Sequence, residues 1–582
     1  MRLRAFFQLG ACAALGLLAI PSEAPAQLDV TPFAKYQRDL QNSGFAPGIP
    51  PAPDPGLKPK WTTQLANAPA TEVRSSPAVS ADGSTLYIGS NTGVLYALDA
   101  ETGGINWQLA LDTAGGLFLN TPAIGNGGQI YIGTWAGDKR FYCVEDNGAS
   151  GAVVWQYTQP GNCLGSPAVL EDGSVVFTTA DAPRVVRLDS GGNLMWEADP
   201  MNAANGGIGS SVAVSHDGAR LYVQASETNA VYCLDVGNGA VLGTISTPSW
   251  NWAPSPVVGP DGTIYVGGSY SDVIALTDDG AGTLTEKWRI PFGTMHNGGI
   301  GAVRVVGGVT RLYTFANFWD ELAAIDDMGD HAEIRWTLTL GVGGWGYQTV
   351  VALDDGTLYV PRVMGPIIPG PGGGREPPKL YAIRDDGNSA TVLWEYEVGG
   401  DEGTKAVSVN YDGTVYHIDH SGVVHALNAP GVVPRDVSVI RGLLLSGGLL
   451  QILGSDDSRL VVRTAVFAPS LEPPVQIEVV GTSPTESPSE LRFRFEGMAS
   501  RNLIERRISL YNYVTQSYEE LHVAFAATSD EVVEIVITSN PSRFVEPGTG
   551  QVKSLMTWKA AAFSFFTGWN VGIDQTIWVV KP

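Results

Sequence analysis

Ser76-Pro77-Ala78-Val79, then Asp82-Gly83, Leu86-Tyr87-Ile88-Gly89 and Gly93-Val94-Leu95-Tyr96-Ala97-Leu98-Asp99, closing on Thr102-Gly103 and Trp107, form a unit whose order of parts returns along the chain. Copies centre on Tyr131 with Trp155, Phe177 with Trp196, Tyr222 with Leu234-Asp235, Tyr265 with Trp288, Tyr313 with Trp336, Tyr359 with Trp394, and Tyr416 with Ala426-Leu427. Most anchors lie 43–48 residues apart; the last gap, 57, contains the Gly/Pro-rich insert from Gly365 to Pro378. Self-similarity at this period, with several short strands per unit, is the signature of a propeller blade.

Each unit reads as four strands. Ser-Pro-Ala-Val opens the inner one, and Asp-Gly supplies a tight turn, because glycine takes positive φ without a Cβ clash. Leu-Tyr-Ile-Gly and Tyr-Ala-Leu-Asp are the next two, and the Trp strand is outermost. The eighth unit has no Trp strand after Leu427, while Lys58-Pro59-Lys60-Trp61 precedes the first unit with a Trp and no unit of its own. Ring closure accounts for both: the N-terminal strand completes the last blade and leaves no open edge. The expected fold is all-β, an eight-bladed propeller over residues 58–428.

The rhythm stops at Asn428. Pro430 and Pro434 read as a linker over residues 429–440. Beyond it, period-2 alternation resumes without the repeat: Val475, Ile477, Val479; Leu491, Phe493, Phe495; Ile508, Leu510; Val533, Ile535, Ile537. This predicts half-buried antiparallel strands, and hence a β-sandwich or jelly roll over 441–582 with Trp558, Trp569 and Trp578 in its core.

At the other end, Arg2 and Arg4 followed by the apolar run Leu9–Ile20 and Ala24-Pro25-Ala26 read as a signal peptide over residues 1–26, followed by an extension over 27–57. A secreted, periplasmic or cell-surface location is expected. Of four cysteines, Cys12 falls in the signal. Cys143, Cys163 and Cys233 remain, so at most one disulfide forms within the chain, Cys143 and Cys163 being nearest in sequence. The formal net charge of −24 repels phosphate backbones, which argues against nucleic acid as a partner. No later segment has the ~20 apolar residues of a membrane span.

Ala97-Leu98-Asp99-Ala100-Glu101-Thr102-Gly103-Gly104-Ile105-Asn106-Trp107 resembles the tryptophan-docking repeat, A-x-D-x-x-T-G-x-x-x-W, of the pyrroloquinoline-quinone (PQQ) propellers. The resemblance covers about residues 58–428. It implies that Asp99, Thr102 and Gly103 build the docking turn, and that Trp61, Trp107, Trp155, Trp196, Trp288, Trp336 and Trp394 pack against neighbouring blades. Enzymes of this family are periplasmic alcohol dehydrogenases with PQQ and calcium on the axis, many with an adjacent cysteine pair. This sequence has no adjacent cysteines and no block matching their quinone and calcium residues. Non-enzymatic relatives include the propeller lipoprotein of the outer-membrane barrel assembly machinery, a docking scaffold. The expectation is therefore a non-catalytic scaffold without cofactor, binding a protein or glycan of the envelope or extracellular matrix; the alternative is a PQQ-dependent dehydrogenase.

Three sets of residues are candidates for a site. The loops leading into the inner strands gather around the axis and carry Arg74, Phe118, Cys163, Trp250, Trp252, His296, Asn297, Trp345, Tyr347 and Lys405, aromatic and polar groups suited to a partner. On the eighth hairpin, His417 and His425 stand opposite each other with Asp419 on the same face and His420 at the turn. Two imidazoles and a carboxylate could bind zinc, against the simpler reading of a polar cross-strand pair. The recurrent Asp-Gly pairs, and Asp456-Asp457, read as turns rather than calcium ligands.

Overall fold

The computed structural model describes residues 33–49, 59–65 and 75–581. Within these, 113–114, 126, 202–206, 226–227, 248–254, 268–271, 292–298, 317–320, 341–348, 363–377, 399–406, 420, 428–430, 454–457, 465–471, 484 and 562–567 lie outside the description. The described propeller strands form eight four-stranded antiparallel sheets in chain order, one of them with a short fifth strand added. The first comprises Ala78–Val79, Thr85–Gly89, Val94–Asp99 and Ile105–Ala110. The eighth comprises Ser408–Val409, Val415–Ile418 and Val423–Leu427, completed by Trp61–Gln64. There Trp61 pairs with Ala426 and Thr62 with His425, so the N-terminal strand closes the ring. The inner strand of the first blade also packs against that of the eighth.

Side chains of one blade latch onto the next. Asp146, at the end of the second blade's third strand, accepts from Trp107 Nε1 (2.8 Å) and Tyr87 OH (2.7 Å) of the first. Asp327 receives Trp288 and Tyr265 in the same way, and Asp385 receives Trp336 and Tyr313. Elsewhere the indole donates to backbone: Trp61 and Tyr416 both reach Ala100 O, Trp155 reaches Ser190 O and Trp196 reaches Val236 O. The Tyr and Trp of a blade lie tilted with centroids 5.9–6.1 Å apart, Trp61 on Tyr416 included. Asp99 Oδ1 accepts from the backbone of Glu101 and Thr102 and from the Thr102 hydroxyl, which folds the turn. This holds Gly103 at φ +74 under Trp61, where a Cβ would lie 2.5 Å from the ring.

The fourth blade departs from the rule. Gly243 occupies the Trp position opposite Cys233, and Arg220 takes over: its Nε and the Tyr222 hydroxyl both donate to Asp278 Oδ2 at 2.6 Å. A guanidinium replaces the indole as donor, with charge assistance.

The C-terminal domain is a sandwich of two five-stranded sheets, one of them extended by a short extra pairing. Val475, Ile477, Val479, Phe493, Phe495, Ile508, Trp558, Trp569 and Trp578 share one buried core, as the alternation predicts. The expected linker is not one. Gly431–Val432 pairs with the last strand, Asn570–Lys581, and Asp436–Arg441 edges the other sheet, so the domain begins inside the 429–440 boundary. Edge positions tolerate the flanking prolines that suggested a linker.

Candidate functional site

The inner strands meet the axis at two levels. At the end where the chain enters them, the residue just before the Pro position forms a belt. Ser76 N donates to Thr121 Oγ1 (3.1 Å), Thr121 N to Ser166 Oγ (3.0 Å), Ser166 N to Ser211 Oγ (2.9 Å) and Ser211 N to Ser255 Oγ (2.9 Å). Ser408 Oγ, at the position equivalent to Ala78, donates to Pro77 O and ties the eighth blade to the first by a different bond. The Ser of Ser-Pro-Ala-Val is thus an inter-blade fastener. Buried N–H groups at the axis need acceptors, and the neighbour's hydroxyl supplies one.

At the other end, beside the Asp-Gly turns, the chain supplies its own plug. Residues 33–49, within the expected 27–57 extension, run as a strap past the inner strands. The amides of Val79, Ile124, Val214, Val258, Val303 and Ala352 donate at 2.8–3.0 Å to the carbonyls of Phe33, Ala34, Leu40, Gln41, Ser43 and Gly44 in that order. Six blades are thereby read in sequence. Ala34 and Leu40 pack with the third blade's Ala168 and Leu170, and Phe33 with the eighth blade's Val409. Phe45–Ala46 then adds as a parallel strand beside Ala352 and Leu353.

The strap is held in a strained shape. Gln37, Arg38 and Asn42 have φ of 56°, 75° and 56°, a region disfavoured for side-chain-bearing residues that persists where surroundings over-determine it. Lys35, fully buried, donates from Nζ to Tyr36 O (3.1 Å), Asp39 O (3.0 Å) and Asn42 Oδ1. Burial brings its pKa down to about 7, with the Asp39 carboxylate opposing the shift. Asn42 Nδ2 donates to Val212 O and Pro256 O, and Gln37 Nε2 to Ile300 O and Gly301 O. Gln37 thus ties in the sixth blade, which has no belt hydroxyl among the described residues.

The sandwich sits on this plug. Gln575 Nε2 donates to Gly48 O, Gly48 N donates to Asp354 Oδ2, and Arg494 stands 3.8 Å from Asp354. Ile577, on the face of its strand opposite the core Trp578, is buried as well.

Of the loop residues expected at the opposite mouth, Arg74, Trp250, Trp252, His296, Asn297, Trp345, Tyr347 and Lys405 lie outside the described residues, as does His420. Phe118 and Cys163 are described, and both are packing groups. Phe118 is fully buried against Gly89 among residues of the first two blades, so it is no partner contact, because its loop folds down onto the second strand before turning to the axis. Cys163 is buried beside Gly133.

His417 and His425 pair across the hairpin with ring centroids 6.1 Å apart. His425 is engaged on both nitrogens, by the Tyr396 hydroxyl at Nδ1 and by Asp419 Oδ2 at Nε2, each 3.2 Å. Burial, with His425 adding to it, pushes the His417 pKa down to about 3. The polar cross-strand reading describes this cluster; among the described residues no group of three or more His, Cys, Asp or Glu is arranged to hold a metal ion. Cys143, Cys163 and Cys233 are free thiols; the nearest pair, Cys143 and Cys163, shares an apolar cluster without bonding.

Residues 57–134 and 91–328 match a family model described as outer membrane protein assembly factor BamB. BamB of Shewanella oneidensis is 30% identical over 138 residues, 23% of this chain and 33% of that protein. The tetrathionate hydrolase of Acidithiobacillus ferrooxidans is 26% identical over 212 residues, 34% of this chain and 41% of that protein. The chain therefore spans between a third and about two fifths of the length of these relatives. Among solved structures, the quinohemoprotein alcohol dehydrogenase of Comamonas testosteroni superposes with a TM-score of 0.52 at 14% identity, over 71% of this chain and 82% of that one. At that identity the likeness is one of fold.

Proposed function

We propose, starting from a chain that is a PQQ-like propeller protein, that it is a non-catalytic scaffold of the bacterial cell envelope that docks a protein partner at the mouth formed by the loops leading into its inner strands. The observation that carries this reading is the strap. One end of the axis is filled by the chain's own residues 33–49, cross-braced by Lys35 and Asn42 and covered by the sandwich. The propeller is thereby a one-ended platform. Its remaining surface common to all blades is the mouth, whose loops differ from unit to unit in sequence while the Asp-Gly turns stay alike. Variation on a fixed frame is how repeat proteins build specific surfaces. The name of the matched family, an assembly factor, agrees with a docking role.

Two features support the scaffold reading over one with PQQ and calcium. The three cysteines sit singly in separate strands and loops rather than as an adjacent pair, and the described end of the axis is filled by peptide. Two measurements separate the readings. Pull-down from the native envelope with the chain from Gln27 onward should capture a protein partner, and capture should weaken with Trp252→Ala and Arg74→Ala by about 1 kcal/mol or more each. Reconstitution with PQQ and calcium should yield neither quinone absorbance nor dye-linked alcohol oxidation. Oxidation activity would replace the scaffold reading with the dehydrogenase one.

A further inference from the structure

The sandwich carries an apolar corner that its own core leaves uncovered. Asp436–Arg441 edges one sheet and, after Gly442, Leu443–Ser446 edges the other. Gly442 makes the crossing: its φ is +114°, and a Cβ there would lie 2.5 Å from Val462 Cγ1. Past the corner Leu443, Leu444 and Leu445 are 58%, 48% and 46% exposed, with Ile440 and Leu450 exposed on either side. In an ordinary edge strand alternate residues turn inward. Here all four residues of the strand face solvent, and the pairing with Leu460–Arg463 is bulged between Leu444 and Ser446.

The kind of surface that covers these leucines follows from that geometry. A strand added at this edge needs a regular ladder, which the bulge interrupts. A flat protein partner buries one face of the strand and leaves the other wet. A fluid apolar phase buries both. Charge agrees. From Val437 to Ser455 the chain has no acidic residue and one basic one, Arg441. From Gly431 onward Lys and Arg number 13 against 16 Asp and Glu, within a chain of net charge −24. The acidity therefore resides in the rest of the chain, and this domain can approach a membrane surface. Exposed Arg463, paired in register with Leu443, stands at the base of the corner, where an arginine can reach headgroups while leucines go deeper, and Arg441 beside it is ion-paired with Glu472.

We infer that the Ile440–Leu450 corner docks the protein onto a lipid surface, with Leu443, Leu444 and Leu445 entering the boundary between headgroups and acyl chains. Apolar burial drives the contact, so zwitterionic lipid suffices. The test is co-sedimentation of the chain from Gln27 onward with phosphatidylcholine vesicles at about 1 mM lipid, beside a Leu443→Ser, Leu444→Ser, Leu445→Ser triple variant. Circular dichroism and thermal unfolding of the variant should match the parent, since the three side chains lie outside the core. The parent should pellet with vesicles, and the variant's partitioning should fall at least about fivefold. A dye on Ser446→Cys should shift to the blue when vesicles are added. Absence of binding by the parent, or equal binding by the variant, overturns the inference. So does binding that requires added phosphatidylglycerol in both proteins, which would assign the contact to charge. A concentration-dependent dimer that the triple variant abolishes, without vesicle binding, would give the corner to a second copy of the chain and overturn it equally.

Discussion

Gln575, seven residues from the C-terminus, donates its side-chain amide to the carbonyl oxygen of Gly48 at 2.7 Å, in a buried contact between partners 527 positions apart. The bond joins the sandwich to the strap rather than to any blade, so the two domains share the N-terminal segment as a common seat. Gln575→Leu removes the donor and leaves a buried carbonyl unpaired, a loss of about 1–3 kcal/mol. Calorimetry should show one unfolding transition in the parent and a sandwich transition separating to lower temperature in the variant. An unchanged single transition would mean that the bond does not couple the domains.

Lys35 gives the strap a pH signature. Its folded pKa, about 7, lies below the unfolded value of 10.5. Between those values the unfolded chain holds a proton that the folded chain lacks, so this residue makes stability rise from pH 7 towards pH 10.5, with no further change below pH 7. Other groups titrate in the same window, so the quantity to measure is the difference between parent and Lys35→Met. That difference should shift in the parent's favour as pH rises from 7 to 10, by a few kcal/mol at most. A flat difference contradicts the buried placement of the amine.

The blade latches act in the same direction at low pH, where stability again rises with pH. Burial raises the pKa of Asp278, Asp327 and Asp385, but hydrogen bonds from Tyr222, Tyr265 and Tyr313, together with Arg220, Lys287, Arg311 and the indoles, outweigh it and hold each carboxyl below 3.8. Their stabilisation is complete above the unfolded value and is lost as pH falls through the folded one, so acid unfolding should set in below about pH 4. Asp327→Ala should cost about 2–4 kcal/mol at pH 7, because Trp288, Tyr265 and Lys287 all lose an acceptor. Urea titrations at pH 7 and pH 3 should show the gap between parent and variant narrowing in acid.

Burial pushes the thiols of Cys143 and Cys233 up to about 12 and that of Cys163 higher still. All three should be inert to a thiol reagent at pH 8 in the native protein and react together on denaturation, since the thiolate is the reactive form. Fewer than three thiols titrating in the denatured chain from Gln27 onward would reveal a disulfide or a modification.

The propeller was legible because its unit recurs, and ring closure was legible because Trp61 and the eighth unit each lacked what the other had. The strap was not. Its ties to the blades run from amide to carbonyl, which any residue can offer, so Phe33 to Gly44 carry no period and no motif. The side chains that brace it, Lys35, Gln37 and Asn42, read as ordinary polar residues until their surroundings are known. Arg220 escaped notice because it substitutes for a tryptophan by function rather than by shape. Phe118 was misplaced because sequence order sets which loop a residue is in, not whether that loop first folds back on its own blade. The mouth residues remain readings of sequence, and the strap redirects attention to them by closing the other end.

The strap also sets an order of events. Phe33 to Gly44 leave the ribosome ahead of every blade, yet their acceptors are matched to donors as late as Ala352. No nascent chain can seat them until seven inner strands exist, and Trp61 must wait longer still for Ala426. The segment made first is therefore among the last to be placed. Until then the axial amides of each finished blade stand open, so the period between synthesis and closure is when this protein most needs protection from pairing with the wrong strand.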